Sequence, residues 1–106
     1  MKIARTPKPP YYSVIFTSKM TDKSNGYSQM SDWMNDLVNE QPGFLGVESA
    51  RNELGITVSY WESLEAIKNW KKHQDHLKAQ AKGKQKWYSQ YTVRIAKVEH
   101  EYSFEA

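Results

Sequence analysis

Residues 42–70 read PGFLGVESARNELGITVSYWESLEAIKNW, and the order of signals in this stretch decides the fold. Pro42-Gly43 is a helix stop. Phe44–Arg51 and Gly55–Trp61 are strand-like runs, and Asn52-Glu53-Leu54 between them is a hairpin-length connection with Gly55 at its exit. In the second run Ile56, Val58 and Tyr60 share one face, while Thr57, Ser59 and Trp61 share the other. Ser63 then stands as an N-cap, and Glu65 sits in the first turn, where a carboxylate suits the helix dipole.

Working outward, Met30, Trp33, Met34, Leu37 and Val38 recur at i, i+3, i+4, i+7, i+8 and predict an amphipathic helix over about 27–40. Before it, Asn25-Gly26 marks a turn and Tyr11–Ser18 (YYSVIFTS) predicts a strand. Residues 1–10 carry three of the four prolines and read as an extended arm ahead of a single domain over 11–106. Downstream, the helix after Ser63 is expected to run to about Gly83, its C′ residue, with a break near His73–Asp75. The last strand is expected to be long, Tyr88–Tyr102, with a bulge near Ala96 and a far end that pairs with another subunit.

The resulting order, β-α-β-β-α-β, is the ferredoxin-like α+β arrangement, with an antiparallel four-stranded sheet and both helices on one face. Ser13, Thr17, Thr57 and Ser59 are too few polar residues to make the second sheet face a solvated one. A second copy of the same sheet is the simplest cover for it, which predicts a homodimer closed as an α/β barrel. Trp61, just after the third strand, is assigned to that inter-subunit core.

Composition narrows the chemistry. With no cysteine in 106 residues, disulfides, thiolate nucleophiles and cysteine-ligated metals are excluded. Mean hydropathy is −0.83 and no run approaches a membrane span. The opening MKIARTPKPP lacks an apolar leader core, so a cytoplasmic location is expected. The net charge of +3 comes from one segment, Lys68–Lys86, with seven lysines against Asp75. A solvated lysine face is the ordinary reading of such a segment. An RNA-recognition module shares the element order, but it carries aromatic and basic residues on its third strand, and Gly55–Trp61 has no Arg or Lys. The distinctive quantity is aromatic: 4 Trp, 7 Tyr and 3 Phe, enough for an aromatic-lined pocket.

Trp70, His73, Leu77 and Gln80 fall on one helix face, directed at the sheet. His76 stands three residues after His73 and can replace it as a proton acceptor or join it. No third and fourth ligand accompanies them, so no metal is expected. Trp87, Tyr88 and Tyr91 form a second aromatic group, a wall for a planar molecule with phenol hydroxyls to orient it. Nucleotide-cradling glycine loops, a nucleophile elbow and paired carboxylates are all absent from the sequence.

The pieces PGFLGVE (42–48) and SYWESLEA (59–66), the Trp70-x5-His76 spacing and the Trp87-Tyr88…Tyr91 ending resemble the antibiotic biosynthesis monooxygenase family, with the likeness running from Tyr11 to Phe104. The opening Ile3–Pro7 and the ending Glu101–Phe104 resemble one bacterial branch of it. The resemblance implies a dimeric α/β barrel and a ligand held between sheet and helices. It implies cofactor-independent oxidation, by oxygen, of a planar phenolic or quinol-like molecule: deprotonation makes the substrate an electron-rich anion, and the protein binds and shields it. Trp70, Gln80, Leu77, Trp87, Tyr88 and Tyr91 are then the substrate-binding candidates, and His76 or His73 the base. A non-catalytic binding or regulatory dimer of the same fold is the alternative. The haem-degrading branch matches at Trp70, but it expects a histidine where Gln80 stands and an asparagine on the first strand, where Tyr11–Ser18 has none. Haem ligation would have to shift to His73 or His76.

Overall fold

The computed structural model describes residues 2–22, 26–80 and 87–106, with the side chains of 76–80 outside the described set. The chain forms β1 (Tyr11–Met20), α1 (Tyr27–Asn39), β2 (Phe44–Arg51), β3 (Gly55–Trp61), α2 (Leu64–Gln80) and β4 (Tyr88–Val98). The sheet order is β2-β3-β1-β4 with every neighbouring pair antiparallel, the ferredoxin-like α+β fold that the sequence order predicts.

Directly opposed residues share a sheet face. The registers therefore define four rows on the helix-covered side: Phe44–Trp61–Tyr12–Lys97, Val47–Ser59–Val14–Ile95, Ser49–Thr57–Phe16–Val93 and Arg51–Gly55–Ser18–Tyr91. The core gathers over the first two rows, where Val38 of α1, Ile67 of α2 and fully buried Trp61 pack with Tyr12, Val14, Phe44, Ala66 and Trp70. Trp61 stacks on Trp70 at 6.4 Å and meets Phe44 edge-on at 5.3 Å between ring centroids. Burying one such aromatic contributes on the order of 5 kcal/mol of transfer free energy. Trp61 is thus the centre of the intrachain core, not part of a subunit interface as expected, because β3 delivers it to the helix side of the sheet.

The caps follow the sequence. The Ser63 hydroxyl accepts the Ala66 N–H at 3.0 Å, opening α2. Gly26, at φ 81°, precedes α1, and Gly43, at φ 83°, turns the chain from α1 into β2. On α1, Val38 is buried and Met30, Met34 and Leu37 are half-buried, while Trp33 stays exposed at the margin of the stripe. Asn25, Gly83 and the lysines at 82, 84 and 86 lie outside the described residues.

Four expectations are corrected. The helix runs unbroken through His73–Asp75, since nothing there removes a backbone donor, and Lys71 pairs with Asp75 across the supposed break at 2.8 Å. The last strand stops at Val98, not Tyr102, because its partner strand begins at Tyr11 and Pro10 before it has no N–H to extend the ladder. The irregularity in that pairing falls at Lys19/Met20, and Ala96 pairs regularly with Ser13. Thr57 and Ser59 face the helices, so only Ser13 and Thr17 of the four named polar residues sit on the open face.

The open face is crossed by chain ends. Ala4 N–H donates to Glu48 Oε2 at 2.9 Å, and the Tyr60 hydroxyl donates to Glu48 Oε1 at 2.6 Å. Thr6 donates to Glu101 at 2.8 Å, and the buried Tyr11 hydroxyl donates to the same carboxylate. Ile56 and Val58 lie beside this cluster, with Lys2 and Ile3 over them, in a shallow groove.

Candidate functional site

Beyond the core rows, the helix-covered surface changes character. Row three places Phe16 between Thr57 and Val93, and row four places Ser18 between Gly55 and Tyr91. Phe16 meets Tyr88 edge-on and stacks with Tyr91, both at 5.3 Å. Tyr27, the first residue of α1, stands edge-on to Trp87 at 5.7 Å and to Tyr88 at 5.9 Å. Four phenyl or phenol rings thus line one end of the sheet, with Trp87 behind Tyr27. The shelf is open along β4, where Tyr91 is 54% exposed and Val93 is 47% exposed, and the exposure continues into the adjoining row at Ile95.

Polar groups accompany the rings. The Arg51 guanidinium donates to Ser18 Oγ at 2.5 Å, and Ser18 is only 2% exposed. The Tyr88 hydroxyl donates to the Tyr27 hydroxyl at 3.4 Å. Burial, and then the bond to Tyr27, push the Tyr88 phenol well above its ordinary range, and the nearby Arg51 charge offsets a little of that rise. Tyr88 is therefore a neutral hydroxyl across the physiological range: it can donate to or accept from a ligand, and it is not a base.

The residues singled out from sequence divide between two ends. Tyr88 and Tyr91 stand in the aromatic shelf, and Trp87 touches it through Tyr27. Trp70 belongs to the core end through Trp61, and half-buried His73 lies beside it at 5.6 Å, tilted by 35°. His76, Leu77 and Gln80 lie on α2, but their side chains are outside the described residues. Sequence reasoning missed Phe16, Ser18, Tyr27 and Arg51. The signal for Arg51 was present: a three-residue hairpin connection sets Arg51 opposite Gly55, so an arginine faces a residue with no side chain.

A family model described as antibiotic biosynthesis monooxygenase matches residues 29–82. "Uncharacterized protein YqjZ" of Bacillus subtilis (strain 168) is 47% identical over 105 residues, which is 97% of this chain and 92% of that protein. The chain belongs to the antibiotic biosynthesis monooxygenase family. Among solved structures, a mutant of MhuD with two manganese protoporphyrin IX molecules per active site aligns at TM-score 0.68 and 16% identity, over 88% of this chain and 99% of that one; MhuD is a haem-degrader from Mycobacterium tuberculosis. SnoaB, a cofactor-independent oxygenase from Streptomyces nogalater, aligns at TM-score 0.58 and 10% identity, over 92% of this chain and 100% of that one. At these identities the structural likeness establishes the monooxygenase-family fold alone. Among the described residues, no helix is long and apolar enough to cross a membrane.

Proposed function

We propose that this chain acts as a cytoplasmic homodimer that oxidises a planar phenolic or quinol-like molecule with oxygen and no cofactor. The observation that carries this reading is the aromatic shelf of Phe16, Tyr27, Tyr88 and Tyr91 on the helix side of the sheet, edged by the Tyr88 and Tyr27 hydroxyls. The exposed edge of this ring cluster at Tyr91 and Val93 offers a flat ligand an aromatic surface, and a shelf apart from the core leaves the fold intact when it is covered. Family membership and the SnoaB likeness agree with oxygenase chemistry.

In this reading His76, or His73 one turn earlier on α2, takes the phenolic proton, and Leu77, Gln80 and Trp87 complete the walls; Trp70, stacked on Trp61, belongs to the core behind them. The resulting anion gives its electrons to oxygen. For an anthrone-type methylene, one oxygen atom becomes the new carbonyl and the other leaves as water with the two displaced hydrogens, so the substrate supplies all four electrons. A second subunit would close the open sheet face, where exposed Ile56 and half-buried Val58 flank the Tyr11–Tyr60 cluster.

Haem fits these residues poorly. His73 packs against Trp70 at the core end, Gln80 occupies the position where the family's haem-degrading branch expects its axial histidine, and β1 (YYSVIFTSKM) offers no asparagine.

The neutral, hydrogen-bonded state of Tyr88 favours a second reading, a binding or regulatory dimer without turnover. Oxygen uptake over a panel of hydroquinones and anthrones separates the two. The oxygenase reading expects uptake that falls at least tenfold in either His73→Ala or His76→Ala, with the other variant near the parent rate. Ligand binding with no uptake across the panel would leave the regulatory reading.

A further inference from the structure

The fourth helix-side row, Arg51–Gly55–Ser18–Tyr91, holds a cation in an arrangement that the fold does not require. A Cβ added at Gly55 would lie 2.1 Å from both Cζ and Nη2 of Arg51, so the guanidinium lies flat across the glycine. The backbone at Gly55 is not left-handed; what this position supplies is space. The head of the side chain is pinned at its far end by Ser18 Oγ at 2.5 Å. Among the described residues, Arg51 has no carboxylate within ion-pair distance, the recorded pair being Lys71–Asp75. A guanidinium held across Gly55, unmatched by an acid and in the same row as Tyr91, with its charge felt at the Tyr88 phenol, is prepared for an anion attached to a ring.

We propose that Arg51 is a specificity-determining residue of the shelf and that it pairs with the carboxylate of a planar aromatic acid whose ring lies against Phe16 and Tyr91. The planar fork of a guanidinium matches the two oxygens of a carboxylate, which an ammonium cannot do. Ser18 fixes the fork and Gly55 gives it room; both are positioning residues. The inference rests on the reading of the shelf as a ligand site and adds the class of ligand.

The test measures binding of 2-naphthoate and of its neutral counterpart 2-naphthamide to the full chain by calorimetry. The parent should bind the naphthoate about tenfold to a hundredfold more tightly, the scale of a charge-assisted hydrogen-bonded pair. Arg51→Gln should abolish that preference, bringing naphthoate affinity down to the level of naphthamide. Gly55→Ala keeps every charge in the chain but displaces the guanidinium, and it should also abolish the preference. Arg51→Lys should retain only part of it. Thermal unfolding of each variant, measured in parallel, separates a lost ligand contact from a lost fold. If both probes bind equally to the parent, or if Arg51→Gln and Gly55→Ala keep the preference, the assignment of Arg51 is overturned while the shelf stands as a ligand site. If neither probe binds the parent, the shelf reading fails and the inference fails with it.

Discussion

The two ends of the helix-covered sheet surface are built from similar residues for different purposes. At one end Tyr12, Phe44, Trp61 and Trp70 close on Val38 and Ile67, and Trp61 loses all contact with solvent. At the other end Phe16, Tyr88 and Tyr91 lie within 6.0 Å of one another, yet Tyr91 and the neighbouring Val93 and Ile95 stay about half exposed. Aromatic content alone does not separate core from site. The separation comes from what covers the rings: Val38, Ile67 and Trp70 of the helices close over Trp61 at the core end, while the rings at the shelf end keep an exposed edge at Tyr91 beside the Arg51–Ser18 pair.

That contrast predicts unequal responses to mutation. The largest effect is expected at Trp61→Ala, which empties the centre of the core and should cost about 3–5 kcal/mol by chemical denaturation. A cost near zero would remove Trp61 from the core. Gly43→Ala is next, at about 2–4 kcal/mol, because the residue sits at φ 83° and a Cβ there would come within 2.7 Å of the Ala66 Cβ. Tyr91→Ala, at the opposite end, should cost about 0.5–1.5 kcal/mol, the scale of the ring contacts with Phe16 and Tyr88 lost from a half-exposed position. It should nonetheless weaken an aromatic ligand about two- to tenfold, the range of one ring–ring contact. A stability loss as large as that of Trp61→Ala would erase the distinction between the two ends.

The smallest effect concerns the open face, which binds its chain ends by hydrogen bonds. Burial first, and then the bond to Glu48, raise the Tyr60 phenol to about 12. The folded state favours the protonated form, so this contribution is complete below the ordinary phenol value of 10 and is lost as pH rises toward 12. Tyrosinate absorbance should show late-titrating amplitude that falls by one tyrosine in Tyr60→Phe, with the Tyr88 contribution remaining. Glu101 behaves oppositely: hydrogen bonds from Tyr11 and Thr6 hold its carboxyl below the ordinary value of 4.5. Its contribution is present above that value and is lost as the pH falls below it.

Much of this architecture is legible in the sequence. The hairpin strands Phe44–Arg51 and Gly55–Trp61 have the limits their alternation and turn signals imply, and the Met30-to-Val38 stripe places α1 to within a residue. The side of the sheet to which each alternating set points is not legible from one strand. Ser59 and Thr57 look solvent-directed, yet Trp61 shares their parity and draws them under the helices. The length of β4 depends on where its partner ends, a property of the Pro10–Tyr11 junction far away in sequence. The Arg51–Gly55–Ser18 row, too, exists only once three strands are aligned, so stripe arguments on α2 alone led to His73 and Trp70 and passed over it.

The central claim, that a flat ligand is received on the helix-covered side at the shelf end, is tested most directly by methyl NMR during titration with 2-naphthol. Ring-current shifts at the Val93 and Ile95 methyls, with those of Ile56 and Val58 on the opposite sheet face unmoved, are the predicted result. Shifts confined to Ile56 and Val58, or none at saturating ligand, would contradict it.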